Sequence, residues 1–322
     1  MARVVPAEGA ILQRIVATTP LVNGGLSRPA LARHEAAQAK TAWALGHQRR
    51  FALMQGGDVL ASAKRYELTG RLDGELVTIC GIAEVLATQP DDDGRRDGEA
   101  LVAELVQEAA RNGAALALLF RTADGWAPWP DGFVVVPTTD LELTVTESAR
   151  RGAPMILVRG GEDRDLDAIA AMGHTRGDRF RFRIERSADF VKHAITRKRL
   201  LAGLGAAGAR QIEFVIVEEG ITAAAYIVIS VAGGTWTIEE CGDRDATGAR
   251  VGALLQALIA REPSSSRPLI RGWLPPGFLP PQVTIASSSP APPVLLARAL
   301  SPRVQDVHLA AQDVMYWRSD LF

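Results

Sequence analysis

Apolar and polar positions along the chain change their period several times, and each change marks an element. From Ala10 to Arg50 the spacing is helical: in "RPALARHEAAQAKTAWALGHQRR", Leu31, Ala32, Ala36, Ala39 and Trp43 recur near 3.6 residues. Extended segments follow. "RFALMQ" and "VLASAKRYEL" flank Gly56-Gly57-Asp58, which predicts a hairpin, and "GELVTICGIAEVLAT" predicts a further strand after the turn Leu72-Asp73-Gly74. Glu99 to Arg111 is predicted to be a helix, with Leu101, Leu105 and Ala109 on one face and Gly113 at its end. "AALALLF" and "GFVVVP" read as short strands. This order predicts an α/β fold, a mixed sheet with helices packed on it.

The second half repeats the first. "FALMQGGDVLASAKRY" from Phe51 aligns without gaps on "FVIVEEGITAAAYIVI" from Phe214. A strand with a Cys-Gly pair follows in each, and then a helix, "EALVAELVQEAAR" or "ARVGALLQALIAR". Repeat order and spacing indicate two copies of one fold, expected at residues 1–145 and 146–322. The proline-rich "REPSSSRPLIRGWLPPGFLPPQ" and "ASSSPAPPV" are expected to be extended surface backbone. The segment "VMYWRSDLF" is too aromatic for a frayed tail and is expected to pack.

Composition narrows the function. With 322 residues, two domains are the prior. Thirty-six basic against 37 acidic residues leave a net charge of −1, which argues against a nucleic-acid partner. No stretch approaches the ~20 apolar residues of a membrane helix, and the N-terminus has no signal-peptide pattern, so a cytoplasmic protein is expected. Cys80 and Cys241 fit two buried thiols. His34, His47, His174, His193 and His308 show no ligand spacing, and no metal is expected.

The candidate chemistry lies in "VLATQPDDDGRRDGEALVAEL", Val85 to Leu105: a strand, a glycine turn and an amphipathic helix, the arrangement that offers backbone N–H groups to a phosphate. There is no G-x-x-x-x-G-K-[ST] and no G-x-G-x-x-G opening a βαβ unit, so neither a P-loop nor a dinucleotide-binding domain is supported.

"TQP-DD-DGRRDG-EAL" resembles the pyrophosphate loop of the GNAT N-acetyltransferase superfamily, R/Q-x-x-G-x-G/A before an Ala-Leu-rich helix. Asp93 stands at the usual Arg/Gln, Arg96 at the first Gly and Gly98 at the last Gly/Ala. "FALMQGGDVLASAKRY", "GAALALLF" and "WPDGFVVVP" resemble the family's hairpin and later strands. The resemblance implies two GNAT-like domains in tandem, the second diverged, and an acyl-CoA-dependent N-acyltransferase using acetyl-CoA and a small-molecule amine, as monomer or homodimer. The alternative it leaves is a degenerate module that binds acyl-CoA, or another ligand, without turnover.

What the resemblance implies can be assigned to residues. Val85, Leu86, Ala87 and Thr88 would hold the pantetheine, through the N–H groups of Leu86 and Thr88. Asp93, Gly94, Arg95, Arg96, Asp97, Gly98 and Glu99 would surround the pyrophosphate, with Asp93 opposing it and Asp91 and Asp92 turned to solvent. Glu84 is the candidate base, placed on the face of Ile82 by strand parity. The family's tyrosine acid is replaced by Pro128, with Tyr66, Tyr316 or water left as substitutes, and Trp126 and Trp129 would line a substrate pocket or simply pack. Multi-domain members of the enhanced-intracellular-survival type end on a carboxylate that reaches the active site, which makes Phe322 a candidate and Asp320 beside it a second, with a packed tail as the default. Glu240, in the acidic group Glu239, Glu240 and Asp243, could attract a cationic amine, although a solvated turn is its default. The basic helix "VKHAITRKRLLAGL" is expected to present a solvated face.

Overall fold

A computed structural model describes residues 2–19, 26–121, 130–146, 156–291, 295–304 and 309–321. The first copy runs β1 (Arg3–Pro6), α1 (Gly9–Thr18), α2 (Arg28–Gln38), α3 (Ala42–His47), β2 (Gln48–Gln55), β3 (Asp58–Leu72), β4 (Glu75–Ala87), α4 (Asp92–Arg111), β5 (Leu116–Phe120), β6 (Val134–Val135) and β7 (Thr139–Val145). The second runs β8 (Leu157–Gly160), α5 (Leu166–Gly177), β9 (Phe182–Ile184), α6 (Ala188–Leu204), β10 (Gln211–Glu219), β11 (Thr222–Ala232), β12 (Thr235–Asp243), α7 (Ala249–Ile259), β13 (Leu269–Gly272), β14 (Val283–Pro290), β15 (Leu295–Ala299) and β16 (Val314–Met315).

The repeat is visible element by element. The hairpin around Gly56-Gly57 forms β2–β3, and its counterpart around Gly220 forms β10–β11. All these turn glycines have positive φ, which residues with a Cβ adopt at a cost. A long antiparallel strand follows in each copy, β4 or β12, and then a helix, α4 or α7. A short strand returns parallel to it: Ile79–Ile82 pair with Leu116–Leu119, and Thr235–Ile238 with Leu269–Gly272.

The two sheets trade strands. The first has the order β1-β2-β3-β4-β5-β15-β6, so Leu295–Ala299 lie between two strands of the first half. The second has the order β14-β7-β13-β12-β11-β10-β8, so Thr139–Val145 are inserted between two strands of the second half. Residues before the expected division at 145 thus lie in the second sheet, and residues after it in the first. The proline-rich "ASSSP" is part of β14, paired to β7 rather than free on the surface. Prolines at the end of an edge strand cost no ladder bond where the partner side is solvent.

Two faces of the first sheet carry different cores. On one, Leu101, Val102, Leu105 and Ala109 of α4 pack on Phe51, Ala61, Ala63, Cys80, Ile82 and Leu119, the face predicted for that helix. On the other, Tyr66, Phe120, Trp273, Val314 and Tyr316 form a core shared by both halves. Cys80 and Cys241 are free and buried, as expected, and burial pushes the Cys80 thiol up to about 12.

Candidate functional site

The first cleft opens where β4 and β5 part. Their parallel pairing ends at Ile82–Leu119, and Val85, Leu86 and Ala87 beyond it are half-exposed. A bulge in β4 places Glu84 and Val85 opposite Ala63, between the Ser62–Leu86 and Lys64–Ala83 pairs, and Glu84 has φ +49°. The bulge breaks strand parity. Ile82 packs under α4, whereas Glu84 reaches Arg50 of β2 and Lys64 of β3, and both of these also hold Glu35 of α2. Glu84 therefore does not share the face of Ile82. Thr88 N–H donates to Leu60 carbonyl at 2.8 Å, in register with the Leu86–Ser62 pair. Antiparallel alternation then turns the N–H groups of Val85 and Ala87, not those of Leu86 and Thr88, toward the gap.

The segment expected to be a phosphate loop is helical. α4 begins at Asp92, so Gly94 to Gly98 lie in its first two turns. Its cap is Asp91, whose Oδ1 accepts the Gly94 N–H at 3.0 Å. Asp91 thus turns inward onto the helix end, while Asp93 faces water and binds Arg96 at 2.8 Å. Arg95 likewise lies 3.3 Å from Asp92. A carboxylate at a helix N-terminus satisfies the orphan donors that would otherwise hold an anion. Gly94 is needed for the approach: a Cβ there would fall 1.9 Å from the Gln89 carbonyl oxygen. Asp97 lines one small hollow with Arg14, Asp58, Thr88 and Gln89, and Glu99 lines another with Pro130, Phe133 and Arg298.

Beside the cleft lies a buried ionic network. Glu84 accepts from Arg50 at 2.5 Å and from Lys64 at 2.6 Å. Lys64 also donates to Glu35 at 3.0 Å and to Gln38 at 2.8 Å. Burial alone would raise Glu35, but Lys64, His34 and Arg50 outweigh it and hold the carboxyl well below its usual range. Tyr66 lies in the core next to it, stacked on Trp43 with ring centroids 6.2 Å apart. Burial, and then Glu84, push its phenol well above its ordinary value, so it stays protonated.

The second cleft is filled by the chain itself. Met315 and Trp317 pack against Ile238, Cys241 and Phe278, which confirms that this aromatic segment packs. Asp320 lies 3.0 Å from Arg186, and Arg186 donates to Glu240 at 2.5 Å. Arg197 donates to the carbonyls of Ser319 and Leu321. At the start of α7, Asp243 accepts the N–H groups of Arg250 at 2.8 Å and Val251 at 3.4 Å. Both helix ends are thus closed by an aspartate. Glu240 is wholly buried, so it is neither a solvated turn nor open to a substrate. Glu239 binds Lys198 and Ser230, each at 2.5 Å. Lys198 is mostly buried, at 18% side-chain exposure, so the basic helix α6 turns part of its charge inward rather than to solvent.

Trp126, Trp129 and Phe322 lie outside the described residues. Among the described residues no three His, Cys, Asp or Glu side chains are grouped to hold a metal ion, and no helix is long and apolar enough to cross a membrane. Lys64, Arg50, Glu35 and Arg186 are site residues that the sequence reading did not select. Their signal was weak, since each sits in a run that also reads as a solvated face.

No family model matches the sequence, and no curated protein does. Solved structures do match. A GCN5-related N-acetyltransferase from Kribbella flavida has a TM-score of 0.65 at 14% identity, over 93% of this chain and 72% of that one. Eis1 from Mycobacterium abscessus has a TM-score of 0.54 at 13% identity, over 94% and 74%. Saccharomyces cerevisiae N-myristoyltransferase with bound myristoyl-CoA has a TM-score of 0.53 at 10% identity, over 98% and 89%. The chain has the fold of the GCN5-related N-acetyltransferases, and its two sheets carry that fold in tandem.

Proposed function

We propose that the protein is an acyl-CoA-dependent N-acyltransferase whose acyl-CoA site is the first cleft, with acetyl-CoA as donor and a small amine as acceptor. One observation carries this reading. β4 and β5 part after Ile82 and Leu119 and leave Val85–Ala87 half-exposed, whereas Trp317 and Asp320 occupy the corresponding space of the second copy. In the reaction the amine nitrogen attacks the thioester carbonyl. The C–N bond forms, the C–S bond breaks, and the thiolate takes a proton while the ammonium loses one. Glu84, 22% exposed, is the carboxylate at the cleft that would relay this proton. Both Glu84 oxygens already accept from Arg50 and Lys64, so an incoming amine must compete with these two partners for the carboxylate.

A second reading is favoured by the Asp91 cap: a module that binds a ligand without turnover. Thermal shift with acetyl-CoA, followed by thiol release with a panel of amines, separates the two. Stabilisation with thiol release supports the enzyme, and stabilisation without release for any amine supports the module. No shift at millimolar acetyl-CoA, nor with longer acyl-CoA donors, sinks both. A soluble cytoplasmic protein, monomeric or homodimeric, is the setting this reading implies.

A further inference from the structure

Each copy has a hollow between its first helix and the turn that follows its third long strand. In the first copy it lies between α1 and the turn after β4, and Asp58 and Asp97 line it against Arg14 alone. In the second it lies between α5 and the turn after β12, has a volume of about 300 Å³, and its charge is inverted. Arg176, Arg179 and Arg244 line it, with Asp243 as the one carboxylate among its described walls.

That carboxylate lies near Arg176 but spends its hydrogen bonds away from the three arginines. Asp243 Oδ2 accepts the Arg250 and Val251 N–H groups, and Oδ1 accepts the Asp245 N–H at 2.8 Å and the Arg250 side chain at 3.2 Å. Asp245 is spent on the Thr247 N–H at 2.9 Å. Arg176 is held by the Phe278 ring, 3.8 Å from its guanidinium carbon, and its Nε is buried without an acceptor. Arg179 is steadied by the Pro276 carbonyl. Arg244 is tied through its backbone N–H to Ala224 at 2.9 Å, and its exposed side chain lines the hollow. None of the three makes an ion pair among the described residues. Burial lowers the Arg176 pKa from its ordinary value, and Asp243 opposes that shift only in part.

From this geometry we infer that the hollow of the second copy binds a phosphate-bearing small molecule, separately from the acyl-CoA cleft of the first copy. Guanidinium groups suit a tetrahedral oxyanion because their N–H forks pair with two oxygens at once. The hollow is large enough for a phosphate with a small organic body. Thr175 adds a hydroxyl at its wall.

Calorimetric titration of the full chain with inorganic pyrophosphate tests the assignment, with acetyl-CoA as the second arm. We expect one pyrophosphate per chain, with affinity that falls steeply as salt rises. Arg244→Gln, on an exposed side chain, should fold normally and weaken pyrophosphate roughly tenfold, the effect of losing one charge-assisted contact. Arg176→Gln should do the same, and neither should alter acetyl-CoA binding. Absence of pyrophosphate binding at several millimolar, or unchanged affinity in Arg244→Gln, overturns the site. Competition between pyrophosphate and acetyl-CoA, with both weakened by Arg244→Gln, overturns its separateness. Failure of acetyl-CoA to bind while pyrophosphate binds leaves the hollow standing and removes the transferase reading alone.

Discussion

Asp91 accepts the Gly94 backbone N–H at 3.0 Å and so closes α4 with a carboxylate at the point where an anionic cofactor would dock. Asp91→Asn keeps a capping oxygen and removes the charge. It should leave stability nearly unchanged and tighten acetyl-CoA several-fold in a titration. Asp91→Ala should also cost about 1 kcal/mol of stability through loss of the cap. Asp93→Asn should change affinity little, because that side chain is 78% exposed and faces Arg96. A larger effect at Asp93 than at Asp91 would contradict this assignment.

Lys64 holds Glu35, Glu84 and Gln38 together with its side chain 1% exposed. Lys64→Met removes one of the two cations that bridge Glu35 and Glu84, and should lower unfolding stability by about 3 kcal/mol, in the range for breaking a buried pair. A urea midpoint that falls at constant slope would report it. Lys64→Met with Glu84→Gln should cost less than the two single changes summed, because they share one network.

His193 of α6 is buried against Thr41 and Trp43, and burial, with Arg197 and Lys64 nearby, pushes its pKa from 6.5 down to about 3. The unfolded chain therefore takes up a proton between those values that the folded chain refuses. Stability from this group is complete above about pH 6.5 and is lost as pH falls toward 3, by about 1.4 kcal/mol per pH unit. Urea midpoints measured from pH 7 to 4.5 should fall less steeply in His193→Gln. Identical slopes would show that another group controls the decline.

Trp317, 1% exposed, fills the second cleft. Trp317→Ala should cost about 3–5 kcal/mol, the usual range for a large aromatic removed from a core. Acetyl-CoA stoichiometry should remain one per chain, since Asp243 and the Arg186–Glu240 pair still occupy the rest of that cleft. A second bound equivalent in this variant would show that the tryptophan alone had closed it.

Much of the fold was legible because its determinants are local. Leu101, Leu105 and Ala109 declare the buried face of α4 by spacing, and Gly56-Gly57 and Gly220 mark the two hairpins. The start of α4 was misjudged by seven residues, at Glu99 instead of Asp92. Glycines at 94 and 98 read as loop, yet Asp91 supplies a cap strong enough to begin the helix before them. β1 was missed because four residues of a helix-rich run carry no alternation; its partner, β2, lies some 45 residues away, as in Val5 against Ala52. The site was less legible for the same reason. Glu239 and Glu240 looked like a solvated turn, since Lys198 and Arg186 lie 41 and 54 positions earlier. Parity placed Glu84 beside Ile82 because a bulge leaves no mark in composition.

The traded strands set an order for assembly during synthesis. The first sheet lacks the strand between β5 and β6 until Leu295–Ala299 have left the ribosome. The emerging first half must wait, its β5 edge unpaired, while some 150 further residues are made, and a messenger cut anywhere between the copies yields neither sheet whole. Divergence of the second copy is therefore constrained even where it binds nothing: it supplies the stave that closes the first.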